Sequence, residues 1–438
     1  MTGPRDDLRP FAVLPRNVAP LGYRNYTLFW GGFIATNAGR WIELAGTVWL
    51  VYELSRSPVL LGVLGLARAI PTIVLSPIGG VIADRVDQRR LLSITQTLGF
   101  LASLALALIV VSGQVQLWHV YVQVAIQATI TAFDASVRHA LFPRLVPKQA
   151  IPEAVALSVV AGRFSKMVGP AVGGISIATM GEAAPFFLNA ASFLVLVAAV
   201  AFMRGVKPRT PAAGSTFRGD LRAGFGHMLG DPILSGLLKL EFVFGILQLN
   251  PAIITLIGRE LLDVGAAGLG ALLSAPALGA TLGLVGVIVV GQSGRPGKFV
   301  ILCTVAYAAG LAVLALPLTY ALTFGVLLTI GVVDSLVAVT RQSVMQVAAP
   351  AKMRGRIMAN VGAVTRGTSP LAEAQSGFLA GLVGPSSAVV LAAVALVANA
   401  ISTRVTNPTL WAYDRRDAPA APSGQPPTFP TEAELGDA

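Results

Sequence analysis

The sequence predicts an all-α integral membrane protein that crosses the bilayer with twelve helices. First, 54% of the 438 residues are hydrophobic and only 12% are charged, which excludes a set of ordinary soluble domains. Second, the apolar runs are about 20 residues long, enough for a helix across a hydrocarbon core of about 30 Å and too long for the strands of a membrane barrel. Third, charges stand at the ends of these runs. Lipid offers no hydrogen bonds, so such runs must satisfy their own backbone as helices.

Twelve apolar runs follow one another along the chain, separated by short polar segments. The predicted spans are residues 27–52, 59–83, 91–113, 118–141, 153–180, 185–204, 233–257, 266–291, 298–317, 319–343, 357–383 and 385–404. A long polar segment rich in Pro, Gly and Arg follows the sixth span. The predicted organisation is a cytoplasmic N-terminal tail at 1–26, a six-helix bundle at 27–204, a cytoplasmic linker at 205–232, a second six-helix bundle at 233–404 and a disordered cytoplasmic tail at 405–438.

Arginine and lysine are distributed unevenly between the two sides of the predicted bundle. If the N-terminus is cytoplasmic, the odd-numbered loops hold only Arg56 and Arg259, and the even-numbered loops and the tails hold the other loop cations. The positive-inside rule then predicts that both termini are cytoplasmic, in a bacterial inner membrane. The net charge of +11 would suggest nucleic acid for a soluble protein, but the same rule accounts for it here. No nucleic-acid partner is therefore predicted.

The second half of the chain repeats landmarks of the first at an offset of 203 residues. The repeated residues are Arg138, Pro147 and Arg163, which recur as Arg341, Pro350 and Arg366. Each set follows the fourth predicted helix of its half. Two six-helix halves joined by a polar linker are typical of a major class of secondary transporters.

Motifs for ATP, metal or covalent chemistry are absent from the sequence. There is no P-loop, no nucleophile elbow and no histidine, cysteine or carboxylate spacing typical of a metal site. The single cysteine, Cys303, excludes an internal disulfide. We therefore predict no cofactor, no metal and no enzymatic activity.

Two motifs resemble those of the major facilitator superfamily. The segment at 80–89, G-V-I-A-D-R-V-D-Q-R, is similar to its loop 2–3 motif, with Asp87 and Gln88 in place of Gly and Arg. The segment at 165–174, S-K-M-V-G-P-A-V-G-G, is similar to the motif of its exporters, with Ser165 in place of the first Gly. The first half most resembles the branch that contains the enterobactin exporter and macrolide efflux proteins.

The first resemblance implies a conformational latch at the cytoplasmic rim. Asp84 would hold the two halves together through basic residues and a facing helix N-terminus. Asp134 and Arg138, four residues apart on one helix face, could pair and would approach Arg85 and Arg89. The alternatives are a solvated interfacial charge at Asp84 and a purely local pair at Asp134.

Ionisable residues deep in the predicted spans are costly to insert and are therefore functional candidates. Arg40 and Glu43 are three residues apart and are expected to pair. Glu241, Asp334 and Glu373 are the candidates for carrying protons, because a desolvated carboxylate binds a proton more readily.

The substrate cavity is predicted at mid-depth between the halves. Aromatic, amide and charged side chains there suit an amphipathic organic molecule, and the excess of basic residues slightly favours an anion or zwitterion. Helix packing is the alternative role for each of them. The candidates are Asn37, Arg40, Trp41, Glu43, Gln123, Gln127, Arg163, Lys166, Lys239, Phe242, Phe244, Gln248 and Asn250.

The second motif predicts a tight, bent joint in the fifth helix. Pro170 removes a backbone donor, and Gly169, Gly173 and Gly174 allow close approach of a neighbour. The glycine-rich eighth span is the expected neighbour, and the resemblance implies that this joint prevents leakage through an exporter.

Together these features predict a secondary transporter that exports a drug- or siderophore-like molecule by alternating access in exchange for protons. Its expected partners are a small-molecule substrate, protons and the lipid bilayer, and the chain is expected to act as a monomer. The alternatives are uptake, flipping of a lipid-like substrate, and a non-transporting membrane receptor or scaffold of the same fold.

Overall fold

The computed structural model describes residues 15–203, 226, 228–290, 294–350 and 353–414, with the backbone alone at a few positions such as 80–85. The helices of the first half are α1 (Arg24–Ser55), α2 (Pro58–Arg85), α3 (Gln88–Val111), α4 (Leu117–Leu141), α5 (Ile151–Met180) and α6 (Ala184–Phe202). Those of the second are α7a (Pro232–Leu247), α7b (Pro251–Leu256), α8 (Ala266–Val290), α9 (Pro296–Leu314), α10 (Tyr320–Ala348), α11 (Arg354–Val383), α12 (Pro385–Thr406) and α13 (Pro408–Ala412).

A helix stands at each of the twelve predicted spans. Within the described residues, nine helical segments are long and apolar enough to cross a membrane. The other three are α1, α4 and α11, which carry more polar and charged side chains in their middles. The all-α membrane fold predicted from the apolar runs is therefore confirmed.

The seventh predicted span is broken, which corrects the continuous helix expected at 233–257. Pro251 lacks a backbone N–H and disfavours a helical conformation at the residue before it. Asn250 is accordingly extended, and its side-chain oxygen accepts from the N–H of Ile253 at 3.2 Å to cap α7b. A π-helical turn, Ile257–Leu261, completes the span.

The two halves pack their helices in the same pairwise order. In the first half α1 packs on α5, α2 on α4, and α3 on α6. In the second half α7a packs on α11, α8 on α10, and α9 on α12. The repeat of landmarks at an offset of 203 thus has a counterpart in the packing. The predicted domain boundaries themselves stay a prediction.

The segments that flank the two bundles, before α1 and after α12, contain more regular structure than predicted. A 3₁₀ helix, Arg16–Gly22, packs on α1 and α5 within the segment predicted as a tail. α12 runs to Thr406, and α13 buries Leu410 completely, so the disorder predicted from residue 405 is wrong for 405–414. Residues 415–438 and most of the predicted linker lie outside the described residues.

Small residues join the two halves through α2 with α11 and α5 with α8. A Cβ added to Gly377 would lie 2.3 Å from the backbone nitrogen of Gly62. A Cβ added to Gly270 would lie 2.5 Å from the carbonyl oxygen of Pro170. The helices are therefore in direct backbone contact, an approach that glycine permits.

Candidate functional site

The contacts between the halves gather at one end of the bundle. We call this the far end, because it carries the loops at 56–57, 181–183 and 262–265 and lies opposite the described termini; the other is the near end. Three polar contacts between described residues of the two halves lie toward the far end. They are Arg259 with Glu53, Arg68 with Glu373 at 2.6 Å, and the Ala171 N–H with Ser274 Oγ at 3.0 Å.

Exposure rises along α2 and α5 toward the near end. On α2, Gly62 and Ala69 are buried, whereas Ile73, eleven residues beyond Gly62 and on the same face, is 46% exposed. On α5, Gly174 is buried, whereas Lys166, eight residues toward the near end and about 80° around the helix, is exposed. The halves therefore diverge from a closed far end, and the space between them, which we call the cleft, opens toward the near end.

Three cations line the walls of the cleft. Arg163 and Lys166 lie on α5, and Arg366 lies on the face of α11 that carries Glu373 seven residues later. Lys166 and Arg366 are exposed, and the Lys166 ammonium lies 5.4 Å from the centre of the Trp41 ring on α1. Among the described residues, none of the three cations forms an ion pair.

Asp334 on α10 faces the two α5 cations from the other half. It lies within electrostatic range of Lys166 and Arg163 across the cleft and of Arg341 and Glu241 in its own half. It is partly exposed, and no hydrogen bond or ion pair to it exists within the described ranges. Asp334 is therefore a carboxylate at mid-helix that water in the cleft can reach.

Glu241, in contrast, is already paired. Its carboxylate forms an ion pair with Arg341 and accepts from Thr365 Oγ1 at 2.7 Å. The Phe244 ring lies 5.5 Å from the Arg341 guanidinium, and both members of the pair are buried. This pair ties α7a to α10 within the second half.

The corresponding tie in the first half joins Arg40 to Asp134. Their ion pair is 3.3 Å long, and Asp134 also accepts from Thr95 at 2.9 Å and Gln96 at 2.8 Å. The expected Arg40–Glu43 pair is therefore wrong. Three residues apart on α1, the two side chains meet different parts of α4: Arg40 reaches Asp134, whereas Glu43 reaches Gln123 and Gln127, nearer the start of that helix.

The predicted latch residues are only partly brought together. Arg138 donates to the backbone carbonyl of Asp134 at 3.3 Å rather than to its carboxylate, and its guanidinium lies 5.1 Å from the Phe33 ring. Arg89 donates to the Val200 carbonyl at 2.7 Å and not to Asp134. The side chains of Asp84 and Arg85 lie outside the described part of the structure.

Glu43 lies in a buried network of neutral donors. It accepts from Gln123 at 2.9 Å, Ser103 at 3.3 Å, Gln127 at 3.4 Å and, at a short distance, Asn189. The carboxylate is 5% exposed, and no cation pairs with it among the described residues. Ser103 and Asn189 were not predicted as site residues, although each is a polar residue inside an apolar run.

Glu43→Leu is expected to destabilise the protein by about 3 kcal/mol or more. The change removes the shared acceptor of three buried donors and of the half-buried Gln127, and each buried donor left unsatisfied costs about 1–3 kcal/mol. Thermal unfolding in detergent, followed by loss of the monodisperse peak, measures the effect. Glu43→Gln keeps an acceptor oxygen and is the matched control, expected to stay close to the native protein. A leucine variant as stable as the native protein would contradict this account.

Arg68 is a site residue that sequence reasoning missed. It lies on α2 and donates through one nitrogen to both oxygens of Glu373, at 2.6 and 2.7 Å. The Glu373 side chain is 5% exposed, so this pair is a buried link between the halves. The available signal was a single arginine inside the apolar run at 59–83.

Several predicted cavity residues lie away from the cleft. Lys239 donates to Ser402 of α12 at 3.0 Å, and Phe242, three residues further on, is half-exposed close to the same side of α7a. Gln248 and Asn250 line a separate small cavity between α7b, α11 and α12. Asn37, Trp41 and Gln127 remain beside the cleft or the Glu43 network.

The residues of the predicted joint in α5 pack on two different helices, α8 and α1. Gly174 and Pro170 contact Gly270 of α8, as expected from the exporter-type motif. Gly169 and Gly173 instead pack on α1, where an added Cβ would lie 2.4 Å from the Trp41 Cβ and 2.7 Å from the Ile42 carbonyl oxygen. The motif therefore holds α5 against its own half and against the other half at once.

The fold is shared with solved membrane transporters. A mutant of the nucleoside transporter NupG superposes with a TM-score of 0.71 at 12% identity, over 87% of this chain and 99% of that one. A POT family transporter gives 0.70 at 13% identity, over 91% and 99%. Two repeats of six helices are the arrangement of the major facilitator superfamily, and this protein has that fold.

Sequence comparison gives the family. The chain belongs to the transmembrane secretion effector family of the major facilitator superfamily, whose profile matches residues 16–427. The family consists of multi-pass membrane transporters, and the relatives of this chain are bacterial.

The curated relatives are distant. YfiS of Bacillus subtilis, an uncharacterised transporter of this superfamily, is 28% identical over 49% of this chain and 52% of its own length. The staphyloferrin A transporter of Staphylococcus aureus is 27% identical over 36% and 40%. The enterobactin exporter EntS of Shigella flexneri is 24% identical over 64% and 66%. The chain thus spans from two fifths to just under two thirds of the length of these relatives.

Proposed function

We propose that this protein exports a small amphipathic organic molecule by alternating access, in exchange for protons. The observation that carries the proposal is a cleft closed at the far end by backbone contact and open at the near end, with charged walls at mid-depth. With the near end in the cytoplasm, as the distribution of basic residues predicts, the cleft would receive a substrate from inside the cell. The similarity to the enterobactin exporter EntS supports the outward direction.

Asp334 is the carboxylate best placed to carry the proton. Glu241 and Glu373 each have an arginine partner, whereas Asp334 has none among the described residues and is partly exposed. A proton on Asp334 would leave Lys166 and Arg163 without the charge of that nearby acid, and its release would restore it. In the proposed exchange, protonation without cargo leaves the cations unopposed and favours the state open at the near end, where the proton is released before cargo binds.

The other inferred parts follow from the same cycle. When the near end closes, the loop motif around Asp84 is proposed to latch the two halves there. Each chain holds a whole cleft, so we propose that a monomer suffices. The cycle is physical movement alone and includes no covalent step.

A vesicle experiment tests the proposal. Inside-out membrane vesicles containing the protein are energised to an acidic interior and given enterobactin, staphyloferrin A, erythromycin or ethidium in turn. We expect at least one compound to accumulate only while the pH gradient lasts. Asp334→Asn should reduce gradient-driven accumulation about 10-fold or more and leave gradient-independent exchange of the compound unchanged.

Vesicles with the Arg404→Gln variant serve as the control, because Arg404 lies beside Trp411 on the outer helix α12. No accumulation of any compound in vesicles that hold folded protein would contradict export, as would accumulation that persists without the gradient. Accumulation in right-side-out vesicles alone would favour uptake.

A further inference from the structure

We propose that Arg163, Lys166 and Arg366 bind the carboxylate of an organic anion in the cleft. This assignment deepens the proposed function and rests on it for the claim that the bound anion is the transported molecule. The cations lie on opposite walls, two on α5 and one on α11.

The two arginines occupy equivalent positions in the repeat. Arg366 follows Arg163 by 203 residues, the offset that relates the two halves, so each half contributes one guanidinium from the same helix position. Lys166 lies three residues after Arg163, on a neighbouring part of the same face. One ligand can therefore contact both halves of the protein at once.

The absence of counter-ions separates these cations from the others. Arg40, Arg68 and Arg341 each have a carboxylate partner. Arg163, Lys166 and Arg366 have none within the described residues, and Asp334 is an acid in electrostatic range of the α5 pair. Three cations against one carboxylate leave an excess of two positive charges, which an anion can neutralise.

The chemistry of the walls favours a carboxylate on an apolar body. A guanidinium matches the two oxygens of a carboxylate, and an ammonium adds a point charge. The Trp41 ring, 5.4 Å from the Lys166 ammonium, and the exposed Ile73 on α2 offer apolar surface to the rest of the molecule. A neutral molecule of the same shape would leave the excess charge in place.

The arrangement also couples binding to movement. Closure of the near end brings Arg163 and Arg366 toward each other, and two like charges in a narrowing, water-poor space repel. An anion bound between the two arginines attracts both, so the net electrostatic energy of closure becomes favourable. The empty cleft should therefore resist near-end closure, and the loaded cleft should allow it, which limits cycles without cargo.

Equilibrium binding to the purified protein in lipid nanodiscs tests the inference. The probes are dansylglycine, which carries a carboxylate, and dansylglycinamide, its neutral amide. We expect the acid to bind at least 10-fold more tightly than the amide. Arg163→Gln and Arg366→Gln should each weaken binding of the acid at least 10-fold and leave binding of the amide unchanged. Arg404→Gln, an exposed cation outside the cleft, should change neither.

Equal binding of both probes, undetectable binding of both, or a preference for the acid that survives both substitutions would overturn the assignment. Each variant is first shown to be monodisperse, so that loss of binding is not loss of fold. Transport of neutral or cationic compounds alone in the vesicle experiment would leave export standing and remove the anion site. Binding of the acid without transport of any compound would support the anion site and contradict export.

Discussion

Gly174→Leu is expected to abolish transport while leaving a protein that inserts and folds. An added Cβ would lie 2.3 Å from the Ala266 carbonyl oxygen and 2.9 Å from the Gly270 Cα, so α5 and α8 must separate by about 1 Å even for alanine. Overpacking of this kind costs about 1–3 kcal/mol. Because the contact exists only when the far end is closed, that cost shifts the population toward the state open at the far end by about 5–150-fold.

Accessibility of a reporter cysteine measures this shift. The protein has one cysteine, Cys303, so Cys303→Ser with Ile177→Cys places a single thiol one turn beyond Gly174 on the same helix. Ile177 is buried, and its cysteine should react with an impermeant maleimide from the far side only when Gly174→Leu is also present. Gly162→Ala on the same helix is the matched control, because its added Cβ meets nothing closer than 3.7 Å. Protection of the reporter together with native transport would refute the proposed seal.

Arg68→Met is expected to lower stability by about 3–5 kcal/mol and to stop transport. The substitution leaves the Glu373 carboxylate, 5% exposed, without its partner at the junction of α2 and α11. Removing one member of a buried pair has this large effect because the remaining charge stays desolvated. The double variant Arg68→Met with Glu373→Met should recover most of the stability, since an apolar pair of similar volume can replace buried ions.

Thermal unfolding in a fixed detergent compares the single and double variants. Arg56→Met is the control, since its pair with Glu53 is 65% exposed on the arginine side and should contribute at most about 1 kcal/mol. If the double variant is as unstable as the single one, the loss comes from packing and not from an uncompensated charge.

The membrane fold could be predicted because the bilayer imposes a local rule. A run of about 20 apolar residues between charges must become a helix wherever it stands, so span positions follow from the chain alone. The break at Asn250 was also readable, since Pro251 follows it directly. The order at 405–414 could not be predicted, because it depends on the burial of Leu410 between α7a and α9.

Charge pairing could not be predicted from spacing. Arg40 and Glu43 are close on α1, but Arg40 meets Asp134, 94 residues away, because the packing of α1 beside α4 presents a carboxylate there. Arg68 was passed over because its partner Glu373 is 305 residues distant. A predicted role for an ionisable residue depends on which helix its side chain faces, and composition does not contain that information.

The backbone contact between Gly62 and Gly377 has an electrical consequence. The separation there is less than one side chain, so no file of water molecules can pass between α2 and α11 at that point. A water-filled vestibule at the near end therefore ends at a dry wall at this contact. In the proposed export cycle, such a wall preserves the membrane voltage and the ion gradients while the cleft is empty.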